Sequence, residues 1–393
     1  MGVKELTRKY EDYVIAQRRW VHQHAELAWQ EFETTAHIEE ELRSMGIEPH
    51  HFEGLTGCWA LIRGGKAGPE SRTILLRADI DALETEEATG LSYQSRNKGV
   101  MHACGHDAHV AMLLGAAKIL MELQDELEGN VKLIFQGAEE TAIGAKAYVD
   151  QGILEGVDAV LGLHIASWKE SGYFSIPDGP QTASSDQFTV TIHGKACHGG
   201  MPQEGHDAVV AAAATIMNLQ PLIARENNPR NASVITVGRV DAGYQYNVVA
   251  GKAVLHGNVR DFSKSHRTEI AGRIQEVVKY TAQAYRCKAE TDYTFKTGPV
   301  VHENPEFNTI VRTAAVKLYG EEVIQNDPPV TGSDDFAYFC QDIPGVFAFL
   351  GGRCEEKNCV YPHHHECFNV DESAFVRGTG LLAQASCDFL KKK

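Results

Sequence analysis

Four short apolar runs set the strongest constraint on how this chain folds: CWALIRG (58–64), TILLRADI (73–80), VKLIFQGA (131–138) and AVLGLHIA (159–166). Each has strand length and little polar alternation, the pattern of strands buried on both faces. Between the second and third lies HDAHVAMLLGAAKILMEL (106–123), with Val110, Leu114, Ala117 and Met121 on one helical stripe. Asp107 stands where a side chain caps the start of that helix. Upstream, Leu6, Tyr10, Val14 and Val21 recur at helical spacing, as do Thr35, Ile38, Leu42 and Met45, with Gly46 as a stop. Strands alternating with helices predict an α/β core.

The pattern changes near Pro180. DQFTVTIHG alternates like a half-exposed strand, HDAVVAAAATIMNLQPLIA reads as a helix, and ASVITVGRV and GKAVLHGNVRDF read as strands. SHRTEIAGRIQEVVKYTAQAY gives a second helix and KAETDYTF a last strand. The order β-α-β-β-α-β is that of a ferredoxin-like unit. Helical character returns with NTIVRTAAVKLYG and ends in DESAFVRGTGLLAQASCDFLKK. The expected architecture is therefore an α/β domain, residues 1–182 with 296–393, on a mixed central sheet flanked by helices. A smaller ferredoxin-like α+β unit, residues 183–295, interrupts it.

Composition narrows the partners. The net charge is -16, which argues against nucleic acid and anionic membranes. The first residues, MGVKELTRKYEDYV, hold no apolar run of signal type, and Leu6 breaks a myristoylation pattern. No stretch reads as the roughly 20 apolar residues a membrane span needs, so a cytoplasmic protein is expected. The nine cysteines are odd in number and lack framework spacing, which predicts reduced thiols.

Five segments place metal-capable side chains beside strand ends: RADID, HACGHDAH, GAEE, GLHIAS and PHHHEC. Any one of them reads equally well as a packed histidine or a solvated acidic face. Together they supply the mixed S, N and O donors that suit zinc or similar transition ions. Cys104 and His106 are close enough in sequence to turn toward one site, with His109 a competitor three residues on. Glu139 and Glu140 follow a strand, where neighbouring carboxylates can face different tasks. A metal ion lowers the pKa of a water it holds from about 15.7 toward about 7, within reach of a carboxylate base.

The segments RRWVHQHAEL, LLRADIDAL, GVMHACGHDAHVAMLLGAA, FQGAEE, GAKAYVDQG, DAVLGLHI, GKACHGGMP, NVVAGKAVLHGNVRDF and TGSDDFAYF resemble the M20 metallopeptidases. The likeness is to their amidohydrolase branch, which includes hippurate hydrolases, N-acyl-amino-acid deacetylases and indole-acetyl-amino-acid hydrolases. It covers almost the whole chain, in the family's order. The resemblance implies a catalytic domain interrupted by a lid, and two divalent ions per subunit, Zn, Mn, Co or Ni. It implies that Cys104, His106, Glu140, His164 and His364 hold them, with Cys104 bridging. Glu139 would be the general base and then the acid, and Asp81 a carboxylate that orients a ligand. His198 would stabilise the oxyanion from the lid, often across a homodimer, while Asn247 and Arg260 would hold a substrate carboxylate. The implied reaction is hydrolysis of a small N-acyl amino acid or short peptide.

Bland readings stand beside these: Asp81 as a turn cap, His198 as a surface histidine, Arg260 as an ion-pair partner of Asp261, and Asn247 as a turn residue. The chain also departs from the family. Gly137 replaces a usual Pro, Thr141, Ala142 and Ile143 replace a glycine run, and the lid motif reads Ala196-Cys197-His198-Gly199. Near the C-terminus three adjacent histidines, His363, His364 and His365, compete for one ligand role. Cys354, Cys359 and Cys367 cluster around them as bystanders, a labile disulfide or a further metal site. A metal-dependent binding protein without catalysis, and a dipeptidase or carboxypeptidase, are the competing functions. A serine hydrolase is disfavoured, since no G-x-S-x-G elbow is present.

Overall fold

A computed structural model of the chain describes residues 1–391. It divides into two compact units. The first runs over Met1–Gly179, His302–Pro328 and from Asp335 onward; the second comprises Pro180–Val301 and Pro329–Asp334. The sequence boundaries at 182 and 296 thus shift by a few residues, and a short return segment joins the second unit. That segment is held by backbone pairing: Ala183 N–H lies 3.1 Å from Val330 O and 3.0 Å from Gly332 O. Such pairing leaves no side-chain periodicity to detect.

The first unit is built on a seven-stranded sheet. Its order is Pro49–His50, Cys58–Arg63, Asn130–Gln136, Thr73–Asp79, Ala159–Glu170, Gly345–Arg353 and Phe174–Ser175. The four central strands run parallel and the outer pairs antiparallel. Thr73–Asp79 is buried at every residue. Cys58–Arg63 alternates instead, a correction to the sequence reading, because this strand stands next to an edge in antiparallel pairing. Helix His106–Glu122 is buried along most of its length. A Cβ at its Gly115 would lie 2.5 Å from Val14 Cγ2, so the glycine lets helices pack closely there. The N-terminal helical run is broken at Tyr10 into Val3–Lys9 and Glu11–Gln23. The predicted C-terminal helix is seen at Phe375–Leu390; Lys392, the last residue of that run, lies outside the described residues.

The second unit holds four antiparallel strands in the order Ser233–Ala242, Lys252–Asp261, Asp186–His193 and Lys288–Phe295. This is the ferredoxin-like arrangement. Helices Ala208–Pro221 and Lys264–Ala284 bury Ala208, Ala211, Leu219, Ile270, Ile274 and Val278 against Phe188, Val190, Ile192, Leu255 and Val259. Asp207 caps the first helix through Val209 N–H and Val210 N–H, and Ser263 caps the second through His266 N–H. The stretch Ala208–Glu226 is long and apolar enough to cross a membrane, a property the sequence reading missed. Its buried side packs on this sheet.

Candidate metal centre

In a parallel sheet, the carboxyl ends of the strands deliver side chains to one edge. Thr73–Asp79 ends there with Asp79 and then Asp81, Asn130–Gln136 leads into Glu139 and Glu140, and Ala159–Glu170 carries His164. Helix His106–Glu122 begins at the same edge, preceded by Cys104. Between Cys104 and His106, Gly105 has φ +95°, and a Cβ there would lie 2.3 Å from Ile165 Cγ2. Only glycine turns the chain at that point so that both neighbours serve one site.

Ligand atoms of Cys104, His106 and His164 all lie within 4.8 Å of one another, and so do those of Cys104, Glu140 and His364. The two triplets share the Cys104 thiol. Cys104 Sγ is 3.6 Å from His164 Nε2, and His364 Nε2 is 3.6 Å from Glu140 Oε1. His106 Nε2 and Glu140 Oε1 are buried without a hydrogen-bond partner. Buried polar atoms are rarely left so, because desolvation is then uncompensated. Unpartnered donors facing a thiol and two further imidazoles fit divalent transition ions.

Electrostatics agree with that fit. Burial pushes the Cys104 thiol well up, and Glu140 adds to the effect. Burial likewise raises the Glu140 carboxyl to about 7, although His106 opposes it. Burial is the largest single influence on His106 and works against its charge, yet Asp79, Cys104 and Asp81 together raise that imidazole well above its ordinary value. Without an ion these groups compete for protons that an ion would displace.

The surrounding groups divide the histidines by role. His109 Nδ1 is held by Asp79 Oδ1 at 2.5 Å, and its Nε2 accepts Ile165 N–H at 2.8 Å. Both nitrogens are engaged, which removes it as a competing ligand. His363 Nε2 accepts Ser167 N–H at 3.2 Å, and its Nδ1 donates to Cys104 O across 3.1 Å. His365 Nδ1 accepts Cys367 N–H at 3.0 Å. His364 alone of the three turns to Glu140, at φ +66°, a backbone region costly for a residue with a Cβ. Cys354, Cys359 and Cys367 take part in no metal-type cluster among the described residues.

Asp81 acts as a clamp. Its Oδ1 accepts Glu139 N–H and its Oδ2 accepts Glu140 N–H, both at 3.0 Å, while its backbone carbonyl accepts from His106 Nδ1. Glu139 itself stands with Oε2 4.0 Å from His106 Nε2, and its Oε1 accepts Asp335 N–H at 3.4 Å. The N-cap of this helix is Gly105, although Asp107 Oδ1 accepts the first-turn Ala108 N–H at 2.9 Å. Asp107 Oδ2 takes Arg18 Nε at 2.8 Å and His22 Nδ1 at 2.7 Å, all three residues buried.

The sequence reading overlooked several supporting groups. Arg77 binds Asp79 at 2.6 Å, Gln136 at 2.8 Å and Asp335 at 2.9 Å. Their signal was present in RADID, where Arg77, Asp79 and Asp81 alternate. Glu31, fully buried, accepts Ala138 N–H at 2.8 Å and the Thr56 hydroxyl at 2.5 Å. Gly137 N–H, which a proline would lack, donates to Tyr148 Oη at 2.8 Å, and Tyr148 donates on to Thr56 O.

The remaining candidates stand in the second unit. His198 and Asn247 are brought together on a short ribbon, where His198 pairs with Val248 and Gly199 N–H reaches Asn247 O at 2.8 Å. Both side chains are exposed. Arg260 lies on another strand and donates to Ser333 Oγ at 3.1 Å. Its sequence neighbour Asp261 is taken by His266 at 2.5 Å and Ser233 at 2.7 Å.

The chain is similar to known proteins in sequence and fold. The model of peptidase family M20/M25/M40 matches residues 75–387. An N-acetyl-L-cysteine deacetylase of Bacillus subtilis (strain 168) is 40% identical, over 96% of this chain and 88% of its own. Thermostable carboxypeptidase 1 of Saccharolobus solfataricus is 36% identical, over 98% and 96%. A crystal structure of a dinuclear metal-binding peptidase of the M20 family from Bacillus subtilis superposes with a TM-score of 0.86 at 32% identity, covering 98% of this chain and 99% of that one. The protein is an enzyme that hydrolyses amide bonds with bound metal. With a matching family model, near full-length relatives and this donor cluster, the chain belongs to peptidase family M20/M25/M40, in its amidohydrolase branch.

Proposed function

We propose that this hydrolase cuts the amide bond of N-acyl amino acids, releasing a carboxylic acid and a free amino acid. The observation that carries the reading is the divergence of two adjacent carboxylates under one clamp. Asp81 fixes both backbone N–H groups, Glu140 joins Cys104 and His364, and Glu139 is left beside His106 and Asp335. Cys104, His106, Glu140, His164 and His364 hold two divalent ions, Zn, Mn, Co or Ni. When bound, such ions polarise a carbonyl and acidify water. Glu139 takes the proton of the attacking water and returns it to the departing amine. His198 stabilises the developing oxyanion, with the unit of residues 183–295 serving as lid and dimer contact. Asn247 and Arg260 hold the free carboxylate of the amino acid, a task suited to a planar guanidinium.

The relative named as a deacetylase supports an acyl substrate, and the relative named as a carboxypeptidase supports a second reading, cleavage of short peptides. One panel decides between them. Chelated enzyme reloaded with Zn²⁺, Mn²⁺, Co²⁺ or Ni²⁺ is assayed on N-acetyl and N-aroyl amino acids, and on dipeptides with free amines. Turnover of the acylated set at far higher kcat/KM supports the proposal. Preference for the free-amine dipeptides establishes the peptidase reading instead.

A further inference from the structure

The strand Gly345–Arg353 leads into a tight hairpin whose two ends are cysteines. Cys354 N–H donates to Cys359 O at 3.0 Å, and Cys359 N–H donates back to Cys354 O at 2.9 Å. The turn between them closes through Asn358 N–H to Glu355 O at 3.0 Å, with Asn358 at φ +56°. The two cysteines are therefore a directly opposed, hydrogen-bonded antiparallel pair. In such a pair the Cα atoms stand about 5.5 Å apart and the side chains leave the same face. Disulfides most often span a Cα separation of about 5.5–6 Å. Both thiols are free in this structure.

We propose that Cys354 and Cys359 form a disulfide site, closed by exchange with a low-molecular-weight disulfide of the glutathione class. The order of events follows from exposure. Cys354 is partly exposed and meets the oxidant, whereas Cys359 is 2% exposed and its Sγ donates to Lys357 O at 3.6 Å. Burial also pushes the Cys359 thiol up to about 11, which disfavours it as the first nucleophile; in the second step its attack is intramolecular. The Cys354 thiolate attacks one sulfur of the small disulfide, forming a mixed disulfide and expelling one small thiolate. Cys359 gives up its proton and attacks the Cys354 sulfur, expelling the second. The protein loses two electrons and two protons, and the small disulfide gains them as two thiols. The cross-link ties off the hairpin from which the chain continues, through Val360, Tyr361 and Pro362, to His363 and His364. The cross-link would thus stiffen the hairpin that precedes the His364 loop whenever the surrounding thiol balance is oxidising.

The test is exchange on the full-length protein under native conditions with oxidised glutathione, followed by alkylation, trypsin and mass spectrometry. The intact mass is expected to fall by about 2 Da, the change for two thiols becoming one disulfide. Cleavage after Lys357 leaves two peptides joined through Cys354 and Cys359. Dithiothreitol should reverse the change, and Cys367→Ser should leave it intact. Cys359→Ser should stop at a glutathione adduct on Cys354. Persistent adducts on Cys354 in the unaltered chain, an unchanged mass, or a link to any other cysteine would each overturn the assignment.

Discussion

His106 Nδ1 donates to the backbone carbonyl of Asp81 across 2.9 Å. A carbonyl only accepts, so the proton of a neutral His106 sits on Nδ1 and the lone pair of Nε2 points into the donor cluster. Asp81 therefore sets the tautomer with its backbone while its carboxylate grips the two glutamates. In Asp81→Asn the amide oxygen can accept from Glu139 or Glu140, and the amide nitrogen faces the other N–H. Loss of an orienting partner of this kind costs about 10–100-fold in metal affinity or activity. Zinc titration beside kcat/KM measures both, and a variant within twofold of the parent on both would reject the clamp.

Glu139→Gln keeps shape and neighbours but cannot take a proton. Turnover should fall by at least about 10²–10⁴-fold, the usual contribution of a positioned base. Bound metal, measured by elemental analysis, should stay at the parent level because Glu140 and the other donors are untouched. Near-parental turnover would remove Glu139 from the mechanism.

Gly137→Pro would restore the residue usual in the family and should harm this chain. The substitution removes the N–H that Tyr148 Oη accepts, leaving a buried acceptor short by about 1–3 kcal/mol. A Cβ at this position would also lie 2.7 Å from Thr56 Oγ1 and 2.8 Å from Glu31 Oε1. Denaturant unfolding should show the loss; an unchanged midpoint would mean that Thr56 and Glu31 move aside freely.

Proton linkage gives opposite signs with and without metal. In the metal-free fold Glu140 and Glu31 are both pushed up to about 7 by burial, from an ordinary value of 4.5. Between those values the folded chain holds protons that the unfolded chain has released, so stability falls as pH rises through the window. A bound ion replaces the Glu140 proton, and the gain on adding metal should grow as pH rises toward about 7. Thermal scans of chelated and zinc-loaded protein between about pH 5 and about pH 7 read both trends. A metal-induced gain that is constant with pH would contradict them.

Arg18→Met would leave Asp107 buried with one cationic partner fewer. Breaking a buried pair in this way costs about 3–5 kcal/mol. Arg18 and Asp107 are both fully buried, so no solvent is at hand to compensate. Urea midpoints should fall accordingly, while a shift typical of a surface pair would show that His22 suffices.

Much of this was legible in the sequence because side-chain periodicity reports which face a residue presents. The run TILLRADI announces a central strand, and the motifs around Cys104, His106, Glu140 and His164 stand beside predicted strand ends. Partners were less legible. The sequence reading singles out Asp81 and passes over Asp79, yet Asp79 holds His109 and Arg77 while Asp81 holds two backbone amides. His109 lay three residues from His106, and only the third dimension showed both its nitrogens taken. Backbone pairings such as Ala183 with Val330, and the contact of Gly137 with Tyr148, leave no trace in hydropathy.

The donors that meet within 4.8 Å are far apart along the chain. Cys104, His106, Glu140 and His164 come early, and His364 follows His164 by two hundred residues. At about 5–20 residues per second, a ribosome needs about 10–40 s to cover that gap. During that time the nascent chain carries Cys104, His106, Glu140 and His164 without the last histidine of the cluster. The donor set is therefore complete only once residue 364 has been made, so its closure depends on the last part of the chain to be synthesised.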